Sequence, residues 1–231
     1  MNPKDRLIVA LDVDSKERAE RLVAELGPHV GMFKVGQELF TAEGPEVVRL
    51  IARSGGRVFL DLKFHDIPNT VAKAVGAASH LGAFFVTLHI SGGRAMLEAA
   101  ASALPAEGTL LLGVTVLTSH TDETLKETGA GGSVAETVRR LAILARESGL
   151  DGVVCSPHEI ALVRETAGDG LVIVTPGIRP KGAAKGDQAR VTTPREARRL
   201  GCDYIVVGRP ITEAASPKDA AKSIVEELSR D

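Results

Sequence analysis

Aromatic side chains are scarce in this chain of 231 residues: Phe, Trp and Tyr make up 3%, with no Trp and a single Tyr. Proteins that bind single strands stack bases on aromatic rings, so the composition argues against such a platform. Positive charge is not in excess either. Lys and Arg number 28 against 30 Asp and Glu, a formal charge of −2. No basic field of the kind that holds a polyanion is present, and any anionic partner has to be small and held locally. The only two cysteines, Cys155 and Cys202, lie far apart in or beside apolar runs, which reads as buried reduced thiols and not as a zinc pattern. No apolar run approaches the ~18 residues that span a bilayer, and the N-terminal MNPKDRLIVALDVD enters a charged, strand-like segment instead of a secretory signal. The expectation is a cytoplasmic protein with neither membrane nor nucleic acid as partner. The GxGxxG and P-loop fingerprints are also missing, so no organic cofactor is expected.

What the chain does contain is an ordinary soluble composition, 44% hydrophobic and 25% charged, arranged as a repeated alternation. Short apolar, β-branched runs stand at 7–13, 31–36, 57–64, 84–90, 110–117, 152–157, 171–178 and 204–211. Amphipathic or Ala-rich segments lie between them, at 16–26, 45–55, 69–82, 135–149 and 194–201, and 217–230 closes the chain. Near-continuous apolar strands followed by helices indicate a parallel sheet. Eight such units without a linker predict a single-domain α/β fold over 1–231, a (β/α)8 TIM barrel, with a doubly wound open sheet as the alternative. In a barrel, chemistry sits at the C-terminal ends of the strands. The polar residues Asp12, Lys34, Asp61, Lys63 and Thr118 fall there.

The segment FLDLKFHDIPNT (59–70) carries the strongest signal. Asp61, Lys63 and Asp66 place three ionisable groups at the end of an apolar run. Residues two apart on a strand share a face, so Asp61 and Lys63 project together. A buried ion pair seldom stabilises more than apolar residues of similar volume, which favours a chemical purpose over a structural salt bridge. If Lys34, Asp61, Lys63 and a nearby Asp form an alternating row of charges, the carboxylates hold each lysine protonated. Lys63 becomes a proton donor, and the free amine needed for Schiff-base chemistry is suppressed.

A second signal is the connection PGIRPKGAAKGDQARVTTP (176–194), which carries Gly177, Gly182, Gly186, Arg179, Lys181, Lys185, Gln188 and Arg190. A loop this long in a compact domain generally serves as a lid or binding loop. The last strand ends in Gly208-Arg209. Loops after strands seven and eight commonly form the phosphate site of barrels, so Arg179, Gln188, Gly208 and Arg209 are expected to hold a phosphomonoester. His65 and His89 read as supporting residues. Ser119 and His120 have no suitable acid for a hydrolytic triad.

DLKFHDIPNT (61–70), together with IVALDV (8–13), MFKVG (32–36), VTVLTS (114–119), TPGIRP (175–180), GDQAR (186–190) and VVGRPI (206–211), resembles the orotidine 5′-phosphate decarboxylase family from about Leu7 to Ile211. The resemblance implies conversion of orotidine 5′-monophosphate to UMP and CO2, without cofactor or metal, by a homodimeric barrel. It implies that Lys63 protonates C6, Asp61 lies against the substrate carboxylate, and Lys34 and Asp12 hold the ribose. Thr118 would contact the pyrimidine, and Arg179, Gln188, Gly208 and Arg209 the phosphate. Asp66 and Thr70 would enter the partner's site. Two rivals stand beside it: a Mg2+-dependent sugar-phosphate decarboxylase or synthase of the same superfamily, and a non-catalytic UMP-binding module.

Overall fold

The computed structural model describes residues 1–105, 108–180 and 192–229. Eight parallel strands form a closed barrel: β1 (Leu7–Ala10), β2 (Met32–Gly36), β3 (Arg57–Phe64), β4 (Ala83–His89), β5 (Leu110–Val114), β6 (Gly152–Val154), β7 (Val172–Thr175) and β8 (Tyr204–Val207). Each pairs with the next, and β1 pairs back onto β8 with Ile8 opposite Val206. That last pairing removes the open-sheet alternative. The helices are α1 (Lys16–Leu26), α2 (Gln37–Glu43), α3 (Glu46–Arg53), α4 (Pro68–His80), α5 (Arg94–Ser102), α6 (Asp122–Glu127), α7 (Val134–Glu147), α8 (Ile160–Ala167), α9 (Pro194–Arg199), α10 (Arg209–Thr212) and α11 (Pro217–Ser229). No helix among the described residues is long and apolar enough to cross a membrane.

Strand alternation divides the apolar residues into two cores. Ile8, Met32, Phe59, Phe85, Leu112, Val174 and Tyr204 point into the barrel, while Leu7, Val9, Phe33, Val35 and Val58 pack outward with the helices. Phe85 is the hinge of the inner core, meeting Phe59 edge-on at 5.8 Å and Tyr204 at 5.2 Å. Such contacts add to the area that each ring buries. Gly152 opens β6 where no larger residue fits, because a Cβ there would lie 2.3 Å from the Val172 carbonyl oxygen. The helices start on local signals. Ser133 and Glu136 form a capping box on α7, Thr193 and Glu196 another on α9, and Pro68 opens α4.

Six of the eight strands are shorter than the apolar runs that predict them, β3 and β4 being the exceptions. β1 ends at Ala10 and β5 at Val114, leaving Asp12 and Thr118 on the loops beyond. Ala10, Phe59, Val154 and Val206 cap the inner core and form the floor of a cavity at the strands' C-terminal ends.

Candidate active site

The cavity occupies about 330 Å3 at the barrel mouth. Each strand end contributes a different chemical group. β2 brings Lys34, whose Nζ donates to Asp12 Oδ1 at 2.9 Å and lies 3.7 Å from Asp61 Oδ2. Gly36 makes room for this pair, since a Cβ there would stand 3.0 Å from Lys34 Nζ. β3 brings Asp61 and Lys63, with Lys63 Nζ donating to Asp61 Oδ1 at 2.9 Å. The result is a row in the order Asp12, Lys34, Asp61, Lys63. Lys34 and Asp61 are each 9% exposed, so water screens the middle of the row poorly and the charges compensate one another directly.

Lys63 reaches this position through an unusual backbone. Its φ is 53°, the only positive value at a non-glycine residue among the described residues, a placement that costs about 1–3 kcal/mol. The strand is also irregular there: the β3–β4 register shifts between Leu60 and Phe64. The simple two-residue alternation that predicts a shared face is therefore broken, and a bulge brings the two side chains together instead.

Arg179 from the β7 end is 7% exposed and lines the same cavity with Gly208, Arg209 and Thr118. The loop between β7 and α9 is tied at its base. Ile178 and Thr192 form a parallel bridge, and Arg179 N–H donates to the Thr192 carbonyl at 3.1 Å. Gln188 lies outside the described residues. Asp66 and Thr70 are not brought to the cavity of their own chain: both are exposed, on the turn into α4 and its first residues, and Asp66 Oδ1 accepts the Ile67 N–H at 2.6 Å. Ile67 beside them is 67% exposed.

Two residues of the mouth lie outside the expected set. Thr87 on β4 is fully buried and bonds both Asp61 and the Lys63 backbone; the signal for it is a hydroxyl in the apolar run FFVTLHI. Cys155 lines the cavity, and burial raises its thiol pKa well above the usual range, so it stays a neutral thiol. The rings of His65 and His89 meet at a 41° tilt, 5.5 Å between centres. Burial, followed by the charges of His65 and Lys63, holds His89 below the usual imidazole value, which favours its neutral form beside the row. Among the described residues no group of three or more His, Cys, Asp or Glu side chains is arranged to hold a metal ion.

The arrangement can fix a dianion near the two arginines, present an ionised carboxylate to a second anion, and deliver a proton from Lys63. Comparison with known proteins places the chain in a family. A family described as orotidine 5′-phosphate decarboxylase / HUMPS matches residues 5–224. Orotidine 5′-phosphate decarboxylase of Moorella thermoacetica is 53% identical over 99% of this chain and 94% of that protein. The enzyme of the same name from Halorhodospira halophila is 56% identical over 97% of this chain and 96% of its own length. The crystal structure of orotidine 5′-phosphate decarboxylase from Lactobacillus acidophilus superposes with a TM-score of 0.87 at 42% identity, covering 97% of this chain and 99% of that one. With near-complete coverage in both directions and identity above one half, the chain belongs to the orotidine 5′-phosphate decarboxylase / HUMPS family.

Proposed function

We propose that this chain decarboxylates orotidine 5′-monophosphate to UMP and CO2, the last step of de novo pyrimidine synthesis, using neither cofactor nor metal ion. The observation that carries the reading is the Asp12–Lys34–Asp61–Lys63 row in one cavity with Arg179 and Arg209. Arg179, Gly208, Arg209 and Gln188 take the phosphate, Asp12 and Lys34 the ribose hydroxyls, and Thr118 the pyrimidine side. The substrate carboxylate is thereby set against Asp61. Two carboxylates 4 Å apart repel by about 4 kcal/mol at an effective dielectric of ~20. Breaking the C6–carboxylate bond releases neutral CO2 and leaves the electron pair on C6. The Lys63 ammonium stabilises that carbanion and then protonates it, and the amine regains a proton from water after product leaves. Phosphate binding remote from the reacting carbon supplies free energy that holds the substrate against Asp61. Asp66 and Thr70 complete the site from the partner of a homodimer.

The family description carries a second name beside the decarboxylase, whereas the full-length relatives above carry the decarboxylase name alone. The Mg2+-dependent rival uses an acidic ligand at the end of the second strand. Here an ammonium stands there between two carboxylates, and a fixed cation disfavours a divalent one. The test is loss of orotidine absorbance with purified protein in excess EDTA. Full turnover is expected. A requirement for added Mg2+ would transfer the chain to the sugar-phosphate enzymes, and tight UMP binding without turnover would make it a sensor.

A further inference from the structure

The seam between β3 and β4 is irregular at one point. Phe59 pairs with Phe85 and Leu60 with Val86, but the next pair is Phe64 with Leu88. Three residues of β3, namely Asp61, Leu62 and Lys63, therefore stand opposite Thr87 alone. A bulge of this kind interrupts the ladder and leaves a backbone group in need of another partner. It is also where Lys63 adopts φ 53°, a conformation that persists only when its surroundings impose it.

Thr87 imposes it. Its Oγ1 accepts the Lys63 N–H at 3.0 Å and donates to Asp61 Oδ1 at 3.0 Å. A hydroxyl carries a single proton, and an amide can only donate. The amide therefore leaves the hydroxyl proton directed at the carboxylate, and burial excludes water as a substitute partner. A strand carbonyl could receive the Lys63 N–H but could not also donate to Asp61. Other buried threonines behave differently: Thr109 and Thr115 direct their hydroxyls at the carbonyls of Ala83 and Val154. Among the described residues, Thr87 alone links the backbone that carries the ammonium to the oxygen that the ammonium touches at 2.9 Å.

We infer that Thr87 is a positioning residue for the reaction, locking Asp61 and Lys63 at their working separation without itself facing the cavity. This rests on the reading of Asp61 and Lys63 as the reacting pair. The test compares Thr87→Val, which keeps volume and removes both hydrogen bonds, with Thr87→Ser, which keeps the hydroxyl. Thr87→Val is expected to lower kcat by about tenfold or more with KM within about threefold, as a small misplacement of reacting groups does, and Thr87→Ser to recover kcat to within about threefold of wild type. Amide exchange read by NMR supplies an arm independent of turnover. The Lys63 N–H is expected to exchange as slowly as neighbouring ladder amides in the wild type, faster relative to them in Thr87→Val, and slowly again in Thr87→Ser. Fast exchange of the wild-type Lys63 amide overturns the inference without any variant. So does a folded Thr87→Val with wild-type kcat, a Thr87→Ser as impaired as Thr87→Val, or a rise in KM with kcat unchanged. Should Thr87→Val not fold, the wild-type exchange and Thr87→Ser measurements decide. If the wild type fails to consume orotidine 5′-monophosphate, the functional reading fails, while the exchange arm still reports whether Thr87 holds Lys63.

Discussion

In the proposed reaction Lys63 concentrates the chemistry and the conformational cost in one residue. Its left-handed backbone is held by Thr87, and its ammonium is held by Asp61. Removing the ammonium leaves Asp61 Oδ2 near Lys34 and Oδ1 bonded to Thr87, so the carboxylate keeps partners and the fold is expected to survive. In Lys63→Ala, turnover of orotidine 5′-monophosphate is expected to fall by roughly 10²–10⁴-fold, the usual worth of a positioned proton donor. UMP affinity, measured by titration calorimetry, should change by only a few fold because Arg179 and Arg209 are untouched; near-normal turnover would remove Lys63 from the donor role. The proximity of Asp61 and Lys63 was legible in the sequence from their two-residue spacing, yet the physical route differs. Strict alternation would have sufficed on a regular strand, whereas here a bulge delivers the contact. Thr87 was not legible as a partner, because a register shift of two residues between strands leaves no mark in local spacing.

At the scale of elements, the strands and the larger helices follow from apolar periodicity, while α5 and α8 are weaker signals. RAMLEAAAS starts after Gly93 without a side-chain cap, and IALVRETA follows directly from a 3-10 turn over Pro157–Glu159. Strand ends are overrun by the apolar pattern because the residues just beyond them, such as Leu11, Val13 and Val116, stay buried at the mouth. The turn after β6 adds a titration that composition cannot suggest. Glu159 accepts the Ser156 N–H at 3.1 Å in a capping box, and burial pushes its carboxyl up from 4.5 to about 7 despite that hydrogen bond. A carboxyl raised on folding stabilises the native state while protonated. That contribution is complete below about pH 4.5 and is lost as pH rises through about 7. Glu159→Gln keeps an acceptor for Ser156 and removes the titration. Urea unfolding at pH 8 is therefore expected to show the variant more stable than wild type, by at most ~3–4 kcal/mol at about 1.4 kcal/mol per pH unit. The difference should shrink towards pH 4.5, and a gap independent of pH would mean that the carboxyl does not titrate in this window.

On the scale of the whole molecule, barrel closure explains why residues as distant in sequence as Asp12 and Arg209 share one cavity. Closure does not by itself complete the proposed site. Asp66 and Thr70 carry the family's motif, yet they are exposed and do not line the cavity of their own chain. The sequence marked them as functional by motif, but which chain's cavity they serve depends on a surface between subunits, which local patterning does not encode. Exposed Ile67 lies between them on the same turn, an apolar group suited to a subunit contact. In the proposed two-fold dimer the contact would be reciprocal, so each cavity would receive Asp66 from the opposite chain. Asp66→Ala and Lys63→Ala proteins are each expected to be nearly inactive. Their heterodimer holds one cavity with both Lys63 and Asp66 intact and one with neither. Random exchange makes half of the dimers mixed, so a 1:1 mixture should recover about a quarter of wild-type turnover under two-fold symmetry. Mass spectrometry verifies that mixed dimers have formed. If verified heterodimers remain inactive, Asp66 acts within its own subunit, and the turn at 65–70 must move into the cavity for catalysis.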